Sequence, residues 1–416
     1  MAQTVVERFL RYVAVDTQSA EDAATFPSTD KQKVLGKMLV EEFQAMGLKA
    51  RMDEHGYVYA ELPANGPDTI PTIGFIAHLD TSPDVSGEGV RPIIHRNYQG
   101  GDIVLPGDPG VVIRAAENPA LANQIGNDII TADGTTLLGA DDKAGIAEIL
   151  TAVEHLLAHP EIPRGPIKIA ITPDEEVGQG TKFFDVEAFG ADYAYTVDGE
   201  TVGEIENETF CADTVVLTVH GVNVHPGYAK GKMANAIKIA AEIIDQLPKN
   251  SLSPETTEGR EGYLHPNSIT GGVEQTTIKF LVRDFTVEGL KRHEELLRVL
   301  ADKVMARHPR ARLEFEVQES YRNMKYKLDE DPKVVEYALE AVRRVGLQPK
   351  LSLIRGGTDG ARLCYQGLLT PNIFTGGHNF HSRQEWISVQ DMEKAVAVLV
   401  ELVRVWAEKS TQGQAS

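Results

Sequence analysis

Asp141 and Asp142 stand side by side in Leu137-Leu138-Gly139-Ala140-Asp141-Asp142-Lys143-Ala144-Gly145-Ile146, between glycines and directly ahead of an apolar-periodic run. Glycine adopts backbone geometries that other residues resist, so a turn of this kind can press a charged side chain tightly against something. One carboxylate can bind one metal ion or bridge two, while its neighbour helps hold the turn. Taken alone, such a pair is more often a helix N-cap than a metal site. Four other strand-like segments change that balance, because each ends in His or acidic residues. Thr72–Ala77 ends in His78-Leu79-Asp80-Thr81, and Pro166–Ile171 ends in Thr172-Pro173-Asp174-Glu175-Glu176. Tyr193–Val197 ends in Asp198-Gly199-Glu200, and Leu369–Phe374 leads into Gly376-Gly377-His378-Asn379-Phe380-His381.

If His78, Asp141, Glu176, Asp198 and His381 converge, two imidazoles and three carboxylates suit a pair of divalent ions, zinc foremost, with cobalt or manganese also able to fill a mixed O/N site. Asp141 could bridge the ions, each then taking one His and one other carboxylate. A water between them would lose its proton near neutral pH, and Glu175, beside Glu176, is the natural base. Asp80, two residues after His78, could lie on the same side of an extended segment and hold the other imidazole nitrogen, fixing its tautomer. Each residue has a plainer reading by itself: a satisfied polar group, a solvated loop, a turn. Their joint placement at strand ends carries the argument.

The elements that must position these residues follow from the apolar pattern. Thr72–Ala77 is apolar without alternation, as in a strand buried on both faces of a parallel sheet covered by helices. In open α/β sheets ligands bind at the carboxyl ends of the strands. Helices are expected over Val5–Val15, Lys31–Met46, Gly145–Ala158, Asp331–Val345 and Val389–Glu408, the second of them stopping at Gly47. Residues 82–136 read as loops and short strands. After Cys211 the pattern changes to strand Thr214–His220, helix Lys232–Leu247, a polar loop over 249–268, strand Thr276–Arg283, helix Val287–Arg307 and strand Arg312–Val317. That set resembles a ferredoxin-like two-layer unit, inserted because the metal-site pattern resumes only after residue 350. The expected architecture is an α/β catalytic domain with a mostly parallel sheet flanked by helices (1–211 and 323–416) and an inserted lid (212–322).

The remaining totals exclude whole classes. A formal net charge of -20 argues against an extended nucleic-acid surface and against a polybasic membrane contact. Cys211 and Cys364 are far apart and in no metal-like spacing, which suggests a reducing compartment. The first residues are interrupted by Glu7, Arg8 and Arg11 and do not read as a secretory signal. No apolar run is long enough to span a bilayer, and a cytoplasmic protein is the expectation. No Gly-x-Ser-x-Gly elbow is present, so a serine hydrolase has little support.

In order along the chain, His78-Leu79-Asp80-Thr81, Gly139-Ala140-Asp141-Asp142-Lys143-Ala144-Gly145, Thr172-Pro173-Asp174-Glu175-Glu176-Val177-Gly178, Val197-Asp198-Gly199 and Asn379-Phe380-His381-Ser382 resemble the motifs of the co-catalytic zinc aminopeptidases and carboxypeptidases of the M20 group, most of all its tripeptide aminopeptidases. The likeness extends to the opening Glu7–Thr17, to Tyr98–Ile103, to His225-Pro226-Gly227-Tyr228-Ala229-Lys230-Gly231 and to Ile354–Ala361. It implies that His78 and Asp198 hold one zinc and Glu176 and His381 the other, with Asp141 between them. It implies Glu175 as general base, Asp80 as the acid behind His78, His225 on the lid as a donor to the developing oxyanion, and Arg283 and Arg355 as groups holding the polar ends of the substrate. Short peptides, chiefly tripeptides, would be the partners, and the lid strands are free to pair across a homodimer axis. The stretch departs from close relatives at His378, Ser382 and Gln384, where those have Tyr, Gly and His; His378 adds a spare metal-capable group near the ligands.

Overall fold

The computed structural model describes residues 3–412. The chain divides into two compact units: the first runs to Asn207 and takes up Met324–Ser352 and the chain from Thr358 onward; the second comprises Glu208–Asn323 and Leu353–Gly357.

The first unit is built on an eight-stranded sheet. Its centre is parallel: strand Ile73–His78 pairs in parallel with Ile167–Thr172 on one side and Tyr193–Gly199 on the other, and Asn372–Phe374 continues the parallel order beside Tyr193–Gly199. Antiparallel strands lie toward the flanks, with Lys49–Met52 and Val58–Leu62 at one side and Glu204–Thr209 at the other, where Lys350–Ile354 forms the edge. Every residue of Ile73–His78 is buried, as expected of a strand covered on both faces. Helix Ala140–Ala158 is apolar around most of its circumference and lies buried along much of its length, the signature of a helix inside a core rather than on a surface. Gly145 permits that depth: a Cβ there would lie 1.8 Å from the Val197 carbonyl oxygen. The closing helix Val389–Gln412 is locked to the sheet through Trp406, whose Nε1 donates to the Tyr195 hydroxyl (2.9 Å), which donates in turn to the Val334 carbonyl (2.8 Å). No helix among the described residues is long and apolar enough to cross a membrane.

Helix Val5–Val13 is held by a capping box between Thr4 and Glu7 and by Arg8. The Arg8 guanidinium, 2% exposed, donates to Glu42 (2.8 Å) and Glu154 (2.7 Å). Removing one partner of a buried ion pair leaves the others desolvated and uncompensated. Arg8→Ala should therefore lower unfolding stability by about 3 kcal/mol, the lower end of the usual range because Glu154 keeps some solvent contact. A urea titration of the two proteins measures it.

A second, smaller sheet in this unit matters for the site. Strand Trp386–Ser388 pairs with Gly377–His378 on one side and with Ile129–Thr131 on the other.

The second unit is a four-stranded antiparallel sheet, in the order Tyr263–Gly271, Gln275–Asp284, Cys211–His220, Arg312–Tyr321. Helices Ala236–Asp245 and Val287–Met305 pack on one face around Val215, Leu217, Phe280, Ile239, Leu290 and Leu297. The expected loop over 249–268 is corrected here, since its last part belongs to strand Tyr263–Gly271. That strand carries Pro266, shifts register between Pro266 and Ser268 and is exposed at most of its positions; edge strands tolerate proline and irregularity. The added strand completes the βαββαβ order of a ferredoxin-like unit. The helix expected from Lys232 begins only at Ala236. Ala234 pairs with Val222 instead, and the Asn235 side chain accepts from the Ile237 and Lys238 amides as the N-cap.

Candidate metal centre

In the first unit, the ends of four strands and the turn into helix Ala140–Ala158 bring five side chains together. His78 Nε2 lies 2.9 Å from Asp141 Oδ1 and 3.5 Å from Asp198 Oδ1. His381 Nε2 lies 3.1 Å from Asp141 Oδ2 and 2.9 Å from Glu176 Oε2. The five thus form two groups, His78–Asp141–Asp198 and Asp141–Glu176–His381, in each of which the ligand-capable atoms lie within 4.8 Å of one another. Asp141 belongs to both, one oxygen turned to each.

The turn that presents Asp141 is not helical. Gly139 has φ 85°, and Asp141 and Asp142 depart from helical geometry before the helix proper begins. The peptide joining the two aspartates is cis. Asn379 and His381 also adopt left-handed φ (58° and 59°), a costly conformation for residues with side chains. Their loop is tied down. Ser382 Oγ donates to the Asn379 carbonyl (2.7 Å) and accepts from the Gln384 amide (3.1 Å), and Gln384 Nε2 donates to the Val112 carbonyl (2.7 Å). Ser382 and Gln384, two of the departures from close relatives, serve the loop rather than the ligand cluster. The third, His378, is buried against Trp386 with ring centroids 4.3 Å apart. Burial lowers its pKa to about 4, so it packs as a neutral ring and belongs to neither group.

Behind the five side chains, oxygen acceptors grip the backbone amides of the segments that carry them. Asp142 Oδ2 accepts from the His78 amide (3.0 Å). Asp80 accepts from the Glu175 and Glu176 amides (3.0 and 3.1 Å). Asn372 Oδ1 accepts from the Asp198 amide (3.0 Å), and its Nδ2 donates to Glu206 (2.6 Å). Glu385 accepts from the Leu138, Gly139 and Asp141 amides. Asp80 therefore holds the Glu175-Glu176 turn, while its link to His78 runs chiefly through its own carbonyl, 3.0 Å from Nδ1, with the carboxylate at 3.4 Å. A carbonyl only accepts, so Nδ1 carries the proton and Nε2 is the atom turned to Asp141 and Asp198. Asn372, Glu206 and Glu385 were not singled out from the sequence; the one local signal was an acid directly before the strand-like Trp386-Ile387-Ser388.

Charge is concentrated and desolvated here. Burial and the neighbouring Asp141 push Glu176 up to about 8, and burial pushes Asp198 up to about 6 against the pull of His78. Burial also works to raise Asp141, but hydrogen bonds from His381 and His78 outweigh it and hold its carboxyl well below the usual range. Burial opposes protonation of His381, yet contacts with Asp141 and Glu176 raise it to about 11. Glu176 Oε1 is buried with no hydrogen-bond partner among the described residues. Carboxylates this close together and withdrawn from water call for positive charge, and oxygen and imidazole donors in these two groups fit divalent cations. Glu175 belongs to neither group. It lines a small cavity with His78, Asp142, Thr196, Asp198 and Asp359, and burial raises its pKa well above the ordinary carboxylate range.

His225, Arg283 and Arg355 belong to the second unit. His225 is exposed, accepts from the Gly227 amide through Nδ1 (3.2 Å) and packs near the Tyr228 ring. Arg283 donates to the Asp213 and Val282 carbonyls. Arg355 donates to the Gly259 and Glu261 carbonyls and to Thr257 Oγ1 (2.8, 2.8 and 2.9 Å), and its guanidinium lies over the Phe210 ring.

The model of peptidase family M20/M25/M40 matches residues 131–405. A peptidase T from Geobacillus sp. (strain WCH70) is 49% identical over 411 residues, covering 99% of this chain and 100% of that protein. A peptidase T from Halothermothrix orenii is 50% identical over 406 residues, covering 97% and 99%. Among solved structures, aminopeptidase PepT from Bacillus cereus ATCC 10987 matches with a TM-score of 0.74 at 26% identity, over 98% of this chain and 99% of that one. The two acid-and-imidazole groups lie on a chain that the two relatives and the solved structure span almost end to end, and the chain belongs to peptidase family M20/M25/M40, in its peptidase T group of metallo-aminopeptidases.

Proposed function

We propose that this metallo-aminopeptidase releases the N-terminal residue from tripeptides at a site for two divalent cations, zinc foremost, with Glu175 as general base. The observation that carries the proposal is Asp141, whose two oxygens each face a separate imidazole–carboxylate pair. His78 and Asp198 would hold one ion, Glu176 and His381 the other, and Asp141 both. When bound, such a pair supplies Lewis-acid polarisation of a peptide carbonyl and a water acidified to near neutral pH.

The chain's own residues do the rest. Glu175 takes a proton from the attacking water and later delivers it to the leaving amine. Burial raises the Glu175 pKa above the ordinary carboxylate range, which makes it a stronger base toward that proton. Asp80 sets the direction of Glu175 and Glu176 through their amides and orients His78. His225 is assigned to the developing oxyanion, and Arg283 and Arg355 to the polar ends of the peptide. The expected setting is the cytoplasm.

The test is metal content together with hydrolysis of Ala-Ala-Ala before and after chelation. Near two ions per chain, activity lost on chelation and activity restored by zinc or manganese are the expected results. No stoichiometric metal after incubation with excess zinc would overturn the proposal. A panel of di-, tri-, tetra- and N-acetylated peptides tests the substrate: tripeptides with a free amino terminus should lead, and preference for an acylated amine would replace the aminopeptidase with another amidase.

A further inference from the structure

Glu385 is buried four residues after His381, and its carboxylate is wholly taken up by backbone. Oε2 accepts from the Leu138 amide (2.7 Å) and the Gly139 amide (2.8 Å), and Oε1 accepts from the Asp141 amide (3.1 Å). Those amides belong to the stretch where left-handed Gly139 and non-helical Asp141 break the chain away from regular hydrogen bonding. Buried amides need acceptors, and a carboxylate is the strongest acceptor a side chain offers. The third bond is made to the amide of Asp141 itself, so it restrains the Cα from which that side chain departs.

The placement of Glu385 is itself fixed twice. Directly after it, Trp386–Ser388 pairs with Ile129–Thr131, the strand whose chain continues into the Asp141 turn. Before it, the His381 loop is tied by Ser382 and Gln384. Glu385 thus joins the loop bearing His381 to the turn bearing Asp141. The other acceptors behind the site are narrower in reach: Asp142 grips the His78 amide, Asn372 the Asp198 amide, and Asp80 the Glu175 and Glu176 amides.

We infer that Glu385 is a positioning residue for the carboxylate shared by both metal groups, so that both ions depend on it together. The inference rests on the two-ion reading above and adds a residue that touches neither ion. Gln in its place keeps the size, but its amide nitrogen cannot accept, so at least one of the three amides loses its partner. Removing an outer hydrogen-bond partner of a metal ligand typically weakens binding by about 10–100-fold. Because Asp141 is common to both groups, the loss should appear in both binding steps.

The experiment strips wild-type protein and Glu385→Gln of metal by dialysis against a chelator, then titrates each with Zn²⁺ against a chromophoric competitor to obtain both affinities. The unfolding midpoint of each stripped protein is measured alongside. Both affinities are expected to fall, by about 10–100-fold. A turn cap without bearing on the ions would lower the unfolding midpoint and leave both affinities at wild-type values; that result, or loss confined to one ion, overturns the inference. If Glu385→Gln does not fold, Glu385→Asp is titrated in the same way; it keeps the charge but is one methylene short. Wild-type protein that binds no stoichiometric Zn²⁺ would instead overturn the two-ion reading itself, and the two failures are distinguished in one experiment.

Discussion

Glutamine at position 175 should lower kcat on Ala-Ala-Ala by about 10²–10⁴-fold, the span that a positioned general acid–base contributes, with metal content unchanged. The split follows from geometry. Glu175 lies outside both groups of metal-capable side chains, so on the proposed mechanism its substitution should remove a proton carrier and leave those five side chains in place. The amides of Glu175 and Glu176 bind Asp80 through the backbone, and substitution of the side chain leaves those bonds available. KM should change far less than kcat, because a proton transfer is made only on the way to the transition state. Steady-state kinetics with metal analysis on the same preparation checks the prediction, and activity within tenfold of wild type would remove Glu175 from the mechanism.

Alanine at position 141 should have the larger effect on the metals. On the two-ion proposal, substituting His381 or Asp198 would take a ligand from one group, whereas Asp141 belongs to both. Both ions should bind more weakly than the ~10–100-fold loss typical of an outer partner, and hydrolysis should fall below detection at stoichiometric zinc. The substitution also leaves His78 and His381 without the carboxylate that lies beside each Nε2 at 2.9 and 3.1 Å. Metal analysis after gel filtration is decisive. Retention of two ions by Asp141→Ala would mean that the two groups do not share it.

The sheet was readable where its residues carry a local pattern. The apolar run ending in His78 reads as a doubly covered strand because nothing along it alternates, and His or acid at the ends of such runs is hard to explain as core. Strand Tyr263–Gly271 was not readable, because an edge strand with Pro266 and few buried side chains lacks both alternation and a continuous apolar run. Lys232–Asn235 carried helical periodicity but lost the competition to the Val222–Ala234 pairing and the Asn235 cap. The supports of the site were hidden for a different reason. Glu385 lies 244 positions from Asp141 and Asn372 lies 174 from Asp198. Such contacts leave no periodic trace; they exist only once the strands have set the register. Asp80 shows the limit most clearly: its neighbourhood to His78 was visible in the spacing, while its grip on Glu175 and Glu176, 95 and 96 positions away, was not.

The stacking of Trp386 on His378 has a spectroscopic consequence. The chain has two tryptophans, at 386 and 406, and both are buried in the first unit. Trp406 is hydrogen-bonded to Tyr195 in the middle of the sheet core, while Trp386 stacks on the His378 ring with centroids 4.3 Å apart, at the end of the short strand that leads into the loop carrying His381. Trp386 should therefore act as a built-in optical probe of that loop, its emission changing when ligands reorganise, with Trp406 as a steadier reference. The second unit contains no tryptophan, so its own unfolding should register in circular dichroism rather than in tryptophan emission.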